Sequence, residues 1–168
     1  MYKIWEVKLN DFLGNYPIVD NDPPGKNSLT LEEKEYFLKK EIKSLNKKIF
    51  IQSKKEIIPE KNIYFMNTWI NNEDVLIVKK YHDNFIIIGG YIGPSLWIDK
   101  DYRGLGLGYK LVIEKANLTE GQFNPESYTT AGYITHKKAH AESIKYAILN
   151  KKYIPSNVMK DYSHLHLN

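Results

Sequence analysis

The stretch of sequence that decides the fold reads Leu96-Trp97-Ile98-Asp99-Lys100-Asp101-Tyr102-Arg103-Gly104-Leu105-Gly106-Leu107-Gly108. An apolar run that is typical of a strand leads into a glycine-rich turn, and a helical pattern begins after the turn. The first amides of a helix have no carbonyl partner inside the helix and lie at the positive end of its dipole. Glycines at such a position let the backbone approach an anion closely. The stretch therefore predicts a strand–loop–helix unit that binds phosphate oxygens.

Two common phosphate-binding loops do not match this stretch. A P-loop ends in Gly-Lys-Ser/Thr, whereas this loop ends in Gly108-Tyr109-Lys110. A dinucleotide-binding loop has the spacing Gly-x-Gly-x-x-Gly near the start of a βαβ unit. Here the spacing is Gly-x-Gly-x-Gly, and it follows a series of strand-like runs.

The residues upstream of the loop predict an antiparallel meander. Three short runs rich in β-branched and aromatic residues, at 63–70, 75–78 and 85–88, are separated by turn-forming residues. Gly89-Gly90 and Gly93-Pro94 indicate a bend or bulge before a further strand at Ser95–Ile98.

Other elements are predicted from periodicity. Alternating residues favour a strand over 1–9, and a capping-box pattern at Thr30 favours a helix over 30–47. Downstream, a helix is expected over 109–116 and another over 136–150, separated by a loop at 119–133. A short strand near 128–134 and a helical turn at 158–162 complete the prediction.

Composition sets limits on function. A chain of 168 residues with 42% hydrophobic and 26% charged residues fits one globular domain, spanning 1–168. The sequence contains no cysteine and no apolar run long enough for a membrane span, so we expect a cytoplasmic protein without a metal centre. The net charge of +4 is too small to indicate a dedicated nucleic-acid binder, but it would attract an anionic ligand.

The glycine loop resembles the acyl-CoA-binding motif of the GNAT superfamily of N-acetyltransferases. That motif is Arg/Gln-x-x-Gly-x-Gly/Ala, and Arg103, Gly106 and Gly108 occupy its positions. Upstream, Ile98-Asp99-Lys100-Asp101-Tyr102-Arg103-Gly104 is similar to the family's apolar-x-Pro-x-Tyr-Arg-Gly, with Lys100 in place of proline. The resemblance is specific over residues 84–116 and general elsewhere.

The resemblance implies an α+β fold in which helices flank a mixed, mostly antiparallel sheet with a splay between its central strands. It implies acetyl-CoA as co-substrate, with the pyrophosphate on the loop and the pantetheine arm along the strand. The residues implied for cofactor binding are Leu96, Trp97, Ile98, Arg103, Gly104, Leu105, Gly106, Leu107, Gly108 and Tyr109.

The catalytic residues are less well defined. Family members often protonate the leaving thiolate with a tyrosine on the last conserved helix, but alignment on Tyr153 puts Ile148 in that place. Tyr146 is two residues earlier, about 200° around the helix. His140 and Asp99 are the other candidates for the acid and the base, with His136 and Ser143 as further polar residues on the same helix.

Three interpretations remain open. The first is an acetyl-CoA-dependent acyltransferase that acts on a primary amine, which would be a small molecule, a protein amine or an aminoacyl-tRNA. The second is a non-catalytic acyl-CoA-binding module, which Ile148 favours. The third is a nucleic-acid-associated protein, based on paired lysines and thirteen tyrosines. Since few residues follow Tyr153, the acceptor pocket would need the loop 119–133, the N-terminal region or a second subunit of a homodimer.

Overall fold

The computed structural model describes residues 1–20, 32, 55–67, 73–82, 84–123 and 125–163. The described residues form an α+β fold. Its strands are β1 (Lys55–Ile58), β2 (Ile63–Asn67), β3 (Val75–Tyr81), β4 (Asn84–Ile92) and β5 (Ser95–Ile98). Its α-helices are α1 (Leu9–Leu13), α2 (Leu107–Thr119), α3 (Thr130–Leu149) and α4 (Ser156–Met159). Short 3-10 helices lie at Ile4–Glu6, Pro59–Lys61, Lys100–Tyr102 and Lys160–Tyr162.

The strands form one sheet in the order β1-β2-β3-β4-β5. Each strand pairs antiparallel with the next, so the predicted meander is confirmed. Short turns favour this arrangement because they join only antiparallel neighbours. The described sheet is antiparallel throughout and contains no parallel strand pair, so it differs from the mixed, splayed sheet that the sequence resemblance implied.

Both faces of the sheet are buried. Along β3, Val75 and Ile77 belong to the larger core cluster, whereas Leu76 and Val78 belong to a second cluster with Trp97 on the other face. All four of these side chains are fully buried. Positions 75–78 of β3 are all apolar, because a strand segment with two covered faces needs no polar alternation.

A bulge in β4 reverses the alternation of its side chains between the two faces of the sheet. Ile77 pairs with Gly89 and Val78 pairs with Ile87, which leaves Ile88 as an extra residue on β4. As a result Ile87 packs in one cluster and Tyr91, four residues later, packs in the other. In a regular strand these two side chains would share a face. The predicted irregularity near Gly89-Gly90 is confirmed, although β4 continues through both glycines.

The helices cover the face of the sheet that carries Tyr91. Helix α2 contacts β3, β4 and β5, and helix α3 packs on α2 and on the N-terminal segment. Leu107, Leu111, Val112 and Ala116 of α2 are buried in the larger cluster. Each large aliphatic side chain buried in this way contributes about 1.5–3 kcal/mol of hydrophobic stabilisation. Both predicted helices are confirmed, and each begins and ends within a few residues of its predicted bounds, apart from an earlier start of α3 at Thr130.

Two predicted strands are wrong. Residues 1–9 form a 3-10 turn and the start of α1, because this segment packs on α3 and not beside another strand. Residues 128–134 contribute only one parallel bridge, Ile18 to Tyr128, before α3 begins. The Thr129 side chain accepts a hydrogen bond from the Gly132 amide at 3.0 Å, and this cap favours a helix over a strand here. The predicted helical turn at 158–162 is confirmed. The predicted helix 30–47 lies outside the described residues except for Glu32.

A buried ion pair ties α2 to the sheet. Lys115 Nζ lies 3.1 Å from Asp74 Oδ1, and their side chains are 3% and 10% exposed. Asp74 Oδ1 also accepts the Gly93 amide at 2.8 Å, in the turn between β4 and β5. A carboxylate removed from water in this way needs both partners.

We expect the Asp74→Ala variant to lose about 3 kcal/mol of unfolding free energy, because it leaves the Lys115 ammonium buried without its counter-ion. The measurement is urea denaturation of the variant and the wild type at pH 7. Lys145→Met is the matched control, because Lys145 forms an exposed pair with Glu142 at 2.7 Å and such pairs contribute about 0.5 kcal/mol or less. Equal losses in the two variants would contradict the prediction.

Candidate functional site

The glycine loop follows β5, the last strand in the order of the described sheet, and leads into α2. Arg103 Nε donates to the Ile98 carbonyl at 3.0 Å, which fixes the direction of the chain as it leaves β5. The backbone amide of Asp99 donates to the carbonyl of the bulged residue Ile88 at 2.9 Å. The Arg103 amide donates to the Lys100 carbonyl at 3.3 Å, so the amides nearer α2 are better placed to meet an anion.

The three glycines of the loop have different surroundings. Gly104 and Gly106 have φ angles of +83° and +72°, which residues other than glycine adopt only at an energetic cost. Space around Gly104 is open, with nothing within 4 Å of an added Cβ, and Gly106 is the N-cap of α2. Gly108 lies inside α2, where an added Cβ would meet Thr135 Cγ2 at 3.1 Å. Gly108 therefore allows α2 to approach α3.

The first turn of α2 is an electropositive position. Gly106 supplies no capping side chain, so the helix offers only its backbone amides. Lys138 of α3 lies with its Nζ 5.2 Å from the centre of the Tyr109 ring and adds a positive charge nearby. The Leu107 side chain is buried in the core, so it can contact a ligand here only through its backbone, and the Leu105 side chain is half-buried against the same core.

A pocket of about 250 Å³ lies at the start of β5, whereas the glycine loop follows the end of this strand. One wall is the end of the sheet, at Pro94, Ser95 and Leu96, and the opposite wall is the segment 125–129. The remaining lining residues are Val19, Tyr91, Gly132 and His136. Strand β5 therefore connects the two features, since its first residues line the pocket and its last residue leads into the glycine loop.

Tyr91 and His136 form a hydrogen-bonded pair in the pocket lining. Tyr91 Oη lies 2.9 Å from His136 Nε2, and His136 Nδ1 lies 2.8 Å from the Gly132 carbonyl oxygen. A carbonyl oxygen only accepts, so Nδ1 carries the ring proton and Nε2 accepts from the Tyr91 hydroxyl. The lone pairs of the Tyr91 oxygen are then left to accept from a ligand.

Burial keeps both groups of this pair neutral. Burial lowers the pKa of His136 to about 4, although the hydrogen bond to the Gly132 carbonyl acts in the opposite direction. Burial also raises the pKa of Tyr91 far above its usual value, and the nearby Tyr128 hydroxyl raises it further. At neutral pH the imidazole is a free base and the phenol holds its proton.

Aromatic rings hold the pair in place. The Tyr91 ring stacks on Phe123 at 5.8 Å with an interplanar angle of 4°, and Phe123 meets His136 edge-on at 5.0 Å. Tyr128 also packs on His136 at 4.9 Å and donates its hydroxyl to the Leu13 carbonyl at 2.9 Å. Lys115 Nζ lies 5.4 Å from the centre of the Tyr91 ring. These contacts allow little rotation of either side chain.

The candidate His140 lies in a different buried environment. Its Nε2 donates to the Val7 carbonyl at 2.8 Å, and its Nδ1 accepts from the Tyr162 hydroxyl at 2.7 Å. Burial lowers its pKa. With both ring nitrogens bonded inside the fold, His140 joins α3 to the N-terminal segment and to the turn after α4. It does not line the pocket.

The structure does not bring the other catalytic candidates to the pocket lining. Tyr146 is 48% exposed beside Trp5, and it is ten residues along α3 from His136, about 15 Å. Asp99 is the N-cap residue of the 3-10 turn at the start of the glycine loop, and it does not line the pocket. Ser143 donates to the Ala139 carbonyl within α3 at 2.9 Å.

Sequence reasoning missed Tyr91 as a site residue. Its position in an apolar run suggested a core side chain, and the bulge that turns it toward the pocket depends on pairing with β3. The sequence predicts the pocket wall at 125–129 only as part of a loop. The one sequence signal for this pair is His136, a polar residue at the start of the predicted helix 136–150.

In comparisons with known proteins, no protein-family model, no curated protein and no solved structure matches the chain. None of the helices in the described part of the chain is long and apolar enough to cross a membrane. Within the same residues, no three histidine, aspartate or glutamate side chains are grouped so that they could hold a metal ion.

We expect the unfolding free energy to fall as the pH drops from 7 to 5. His136 has a pKa of about 4 when folded and 6.5 as the reference value, so the unfolded chain binds the proton more strongly. The stabilisation that comes from holding His136 neutral is complete above pH 6.5 and is lost toward pH 4. At pH 5 the unfolding free energy is lower by about 2 kcal/mol for this reason. Urea denaturation at both pH values measures it. In His136→Gln this pH dependence should be smaller by that amount, and an unchanged dependence would contradict the assignment.

Proposed function

We propose that this chain is an N-acetyltransferase of the GNAT type, which transfers an acetyl group from acetyl-CoA to a primary amine. The observation that carries the proposal is the continuity of three features. A glycine loop at a helix N-terminus, the strand β5 and a pocket with a polar pair follow one another in that order, because the last residue of β5 leads into the loop and its first residues line the pocket. Acetyl-CoA has the same order of parts, with the pantetheine arm between the pyrophosphate and the thioester.

The pyrophosphate would bind at the first turn of α2. The amides from Gly104 to Tyr109 include those that lack an intrahelical carbonyl, and the helix dipole favours a negative charge there. Open space at Gly104 leaves room for phosphate oxygens. The net charge of +4 and the nearby Lys138 support an anionic ligand.

The pantetheine arm would extend along β5. This strand pairs with β4 on one side and is the last strand in the sheet order, and Ser95 and Leu96 line the pocket. An extended amide chain can pair with such an edge as an added strand. The thioester would then lie between β5 and the segment 125–129, beside Tyr91.

The amine would attack the thioester carbonyl in a ternary complex. Holding the two reactants together supplies much of the rate enhancement, because the reaction becomes effectively unimolecular. Glu126 lines the pocket and is exposed, so its carboxylate would attract an ammonium group. The acceptor class is a small amine, a protein amine or an aminoacyl-tRNA.

The second candidate is a non-catalytic module that binds acyl-CoA. It is favoured by the end of α3, where Ile148 packs in an apolar cluster and Tyr146 lies far from the pocket. Both candidates require acetyl-CoA binding, and they differ in whether the bound thioester reacts with an amine. The absence of cysteine allows a thiol reagent to report released CoA without background from the protein.

We expect the wild type to bind acetyl-CoA in calorimetric titration and the Gly104→Glu variant to bind it at least about tenfold more weakly, since the new carboxylate repels the pyrophosphate. Gly104→Gln is the matched control, with the same shape and the same backbone strain but no charge. It should bind more tightly than Gly104→Glu.

Acetyl-pantetheine, which lacks the pyrophosphate and the nucleotide, tests the placement. Its affinity should be weaker than that of acetyl-CoA and equal in the two Gly104 variants. A wild-type protein that does not bind acetyl-CoA would overturn the proposed function. Unchanged acetyl-CoA affinity in the Gly104→Glu variant would show that the pyrophosphate does not bind at the loop.

A further inference from the structure

We propose that Tyr91 and His136 form the proton relay of this site, with Tyr91 as the catalytic residue and His136 as the base behind it. This inference rests on the proposed function. It assigns the proton transfer to a pair that lies on β4 and at the start of α3, and not to Tyr146, His140 or Asp99.

The direction of the hydrogen bonds supports a relay. The Gly132 carbonyl holds the His136 proton on Nδ1, and Nε2 accepts from the Tyr91 hydroxyl at 2.9 Å. A proton that arrives on the Tyr91 oxygen can therefore leave through the same oxygen toward Nε2. An amine N–H in the pocket would donate to that oxygen, since both residues line the pocket.

The chemistry balances without a further reactant. The amine nitrogen attacks the thioester carbon, a C–N bond forms, and the carbonyl electrons move to oxygen. The nitrogen gives one proton to Tyr91 Oη as the phenolic proton passes to His136 Nε2. When the intermediate collapses, the C–S bond breaks and the electron pair leaves on sulfur. The imidazolium returns its proton through Tyr91 to the thiolate, which gives the amide and free CoA.

The environment of His136 keeps the imidazole neutral before the reaction and makes its conjugate acid strong. The rings that pack against it are those of Tyr91, Tyr128 and Phe123, and the Lys115 ammonium lies 5.4 Å from the centre of the Tyr91 ring. Burial keeps the imidazole neutral before the reaction, so its lone pair is available. The same desolvation makes the imidazolium a strong acid, which favours the return of the proton to sulfur.

The competing explanation is that the Tyr91–His136 pair only stabilises the fold. A second tyrosine–histidine pair in the same protein provides a control for this. Tyr162 and His140 form a second buried tyrosine–histidine pair at 2.7 Å, with stacked rings at 5.5 Å. Both pairs connect α3 to another element. Only the Tyr91–His136 pair lines the pocket, so a loss of activity specific to that pair separates catalysis from packing.

The experiment compares Tyr91→Phe, His136→Gln and their double variant with Tyr162→Phe. Acetyl-CoA affinity is measured by calorimetry, stability by urea denaturation, and turnover by CoA thiol release with a panel of aliphatic, aromatic and polyamine primary amines. Phenylalanine keeps the stacking on Phe123, and glutamine can accept from Tyr91 but cannot take its proton.

We expect Tyr91→Phe and His136→Gln each to lower kcat by about 100-fold or more, with acetyl-CoA affinity unchanged. The double variant should lose no more than either single variant, because the two residues act as one unit. Tyr162→Phe should keep kcat within about twofold even if it is less stable.

Three other outcomes would contradict the relay, and each identifies a different step of the argument as wrong. If the wild type does not bind acetyl-CoA, the proposed function and the relay both fail. If it binds acetyl-CoA but releases no thiol with any amine, the cofactor site stands and the relay is wrong. If the Tyr91 and Tyr162 variants have equal kcat, the reaction proceeds without the relay and only this inference fails.

Discussion

The bulge at Ile88 is the constraint on which the site depends. One extra residue in β4 lets Ile87 and Tyr91 pack on opposite faces of the sheet, and it leaves the Ile88 carbonyl to accept from Asp99 beyond the end of β5. The same irregularity therefore turns a tyrosine toward α3 and anchors the start of the glycine loop. Without it, regular alternation would direct Tyr91 to the other face of the sheet, away from His136.

The sequence predicts the elements whose signals are local. The runs 75–78 and 85–88 are bounded by turn-forming residues, and their antiparallel pairing follows from the short turns. The strand–loop–helix unit around Gly104 and Gly106 is equally local, because positive φ angles need glycine wherever they occur. Local signals thus predict the sheet and the glycine-rich start of α2.

Contacts between distant residues explain what the sequence does not predict. The alternation in residues 1–9 fits a strand, but this segment folds as a 3-10 turn because Val7 is held by His140, which is 133 residues away. His140 lies on the same helix as His136, one turn later. Their hydrogen-bond partners distinguish them. His140 bonds to Tyr162 in the core, whereas His136 bonds to Tyr91 in the pocket lining.

The pocket exists because the segment 125–129 does not pair with β5 as a further strand of the sheet. The Tyr128 amide donates to the Pro17 carbonyl at 2.9 Å, and the Tyr128 carbonyl accepts the Val19 amide at 2.7 Å. Both backbone groups of Tyr128 are therefore engaged by the N-terminal segment in a parallel bridge. A backbone held in this way cannot also pair with Ser95 and Leu96, so the gap between the two walls persists. The N-terminal segment thereby maintains an opening in which an extended ligand can take the place of a strand.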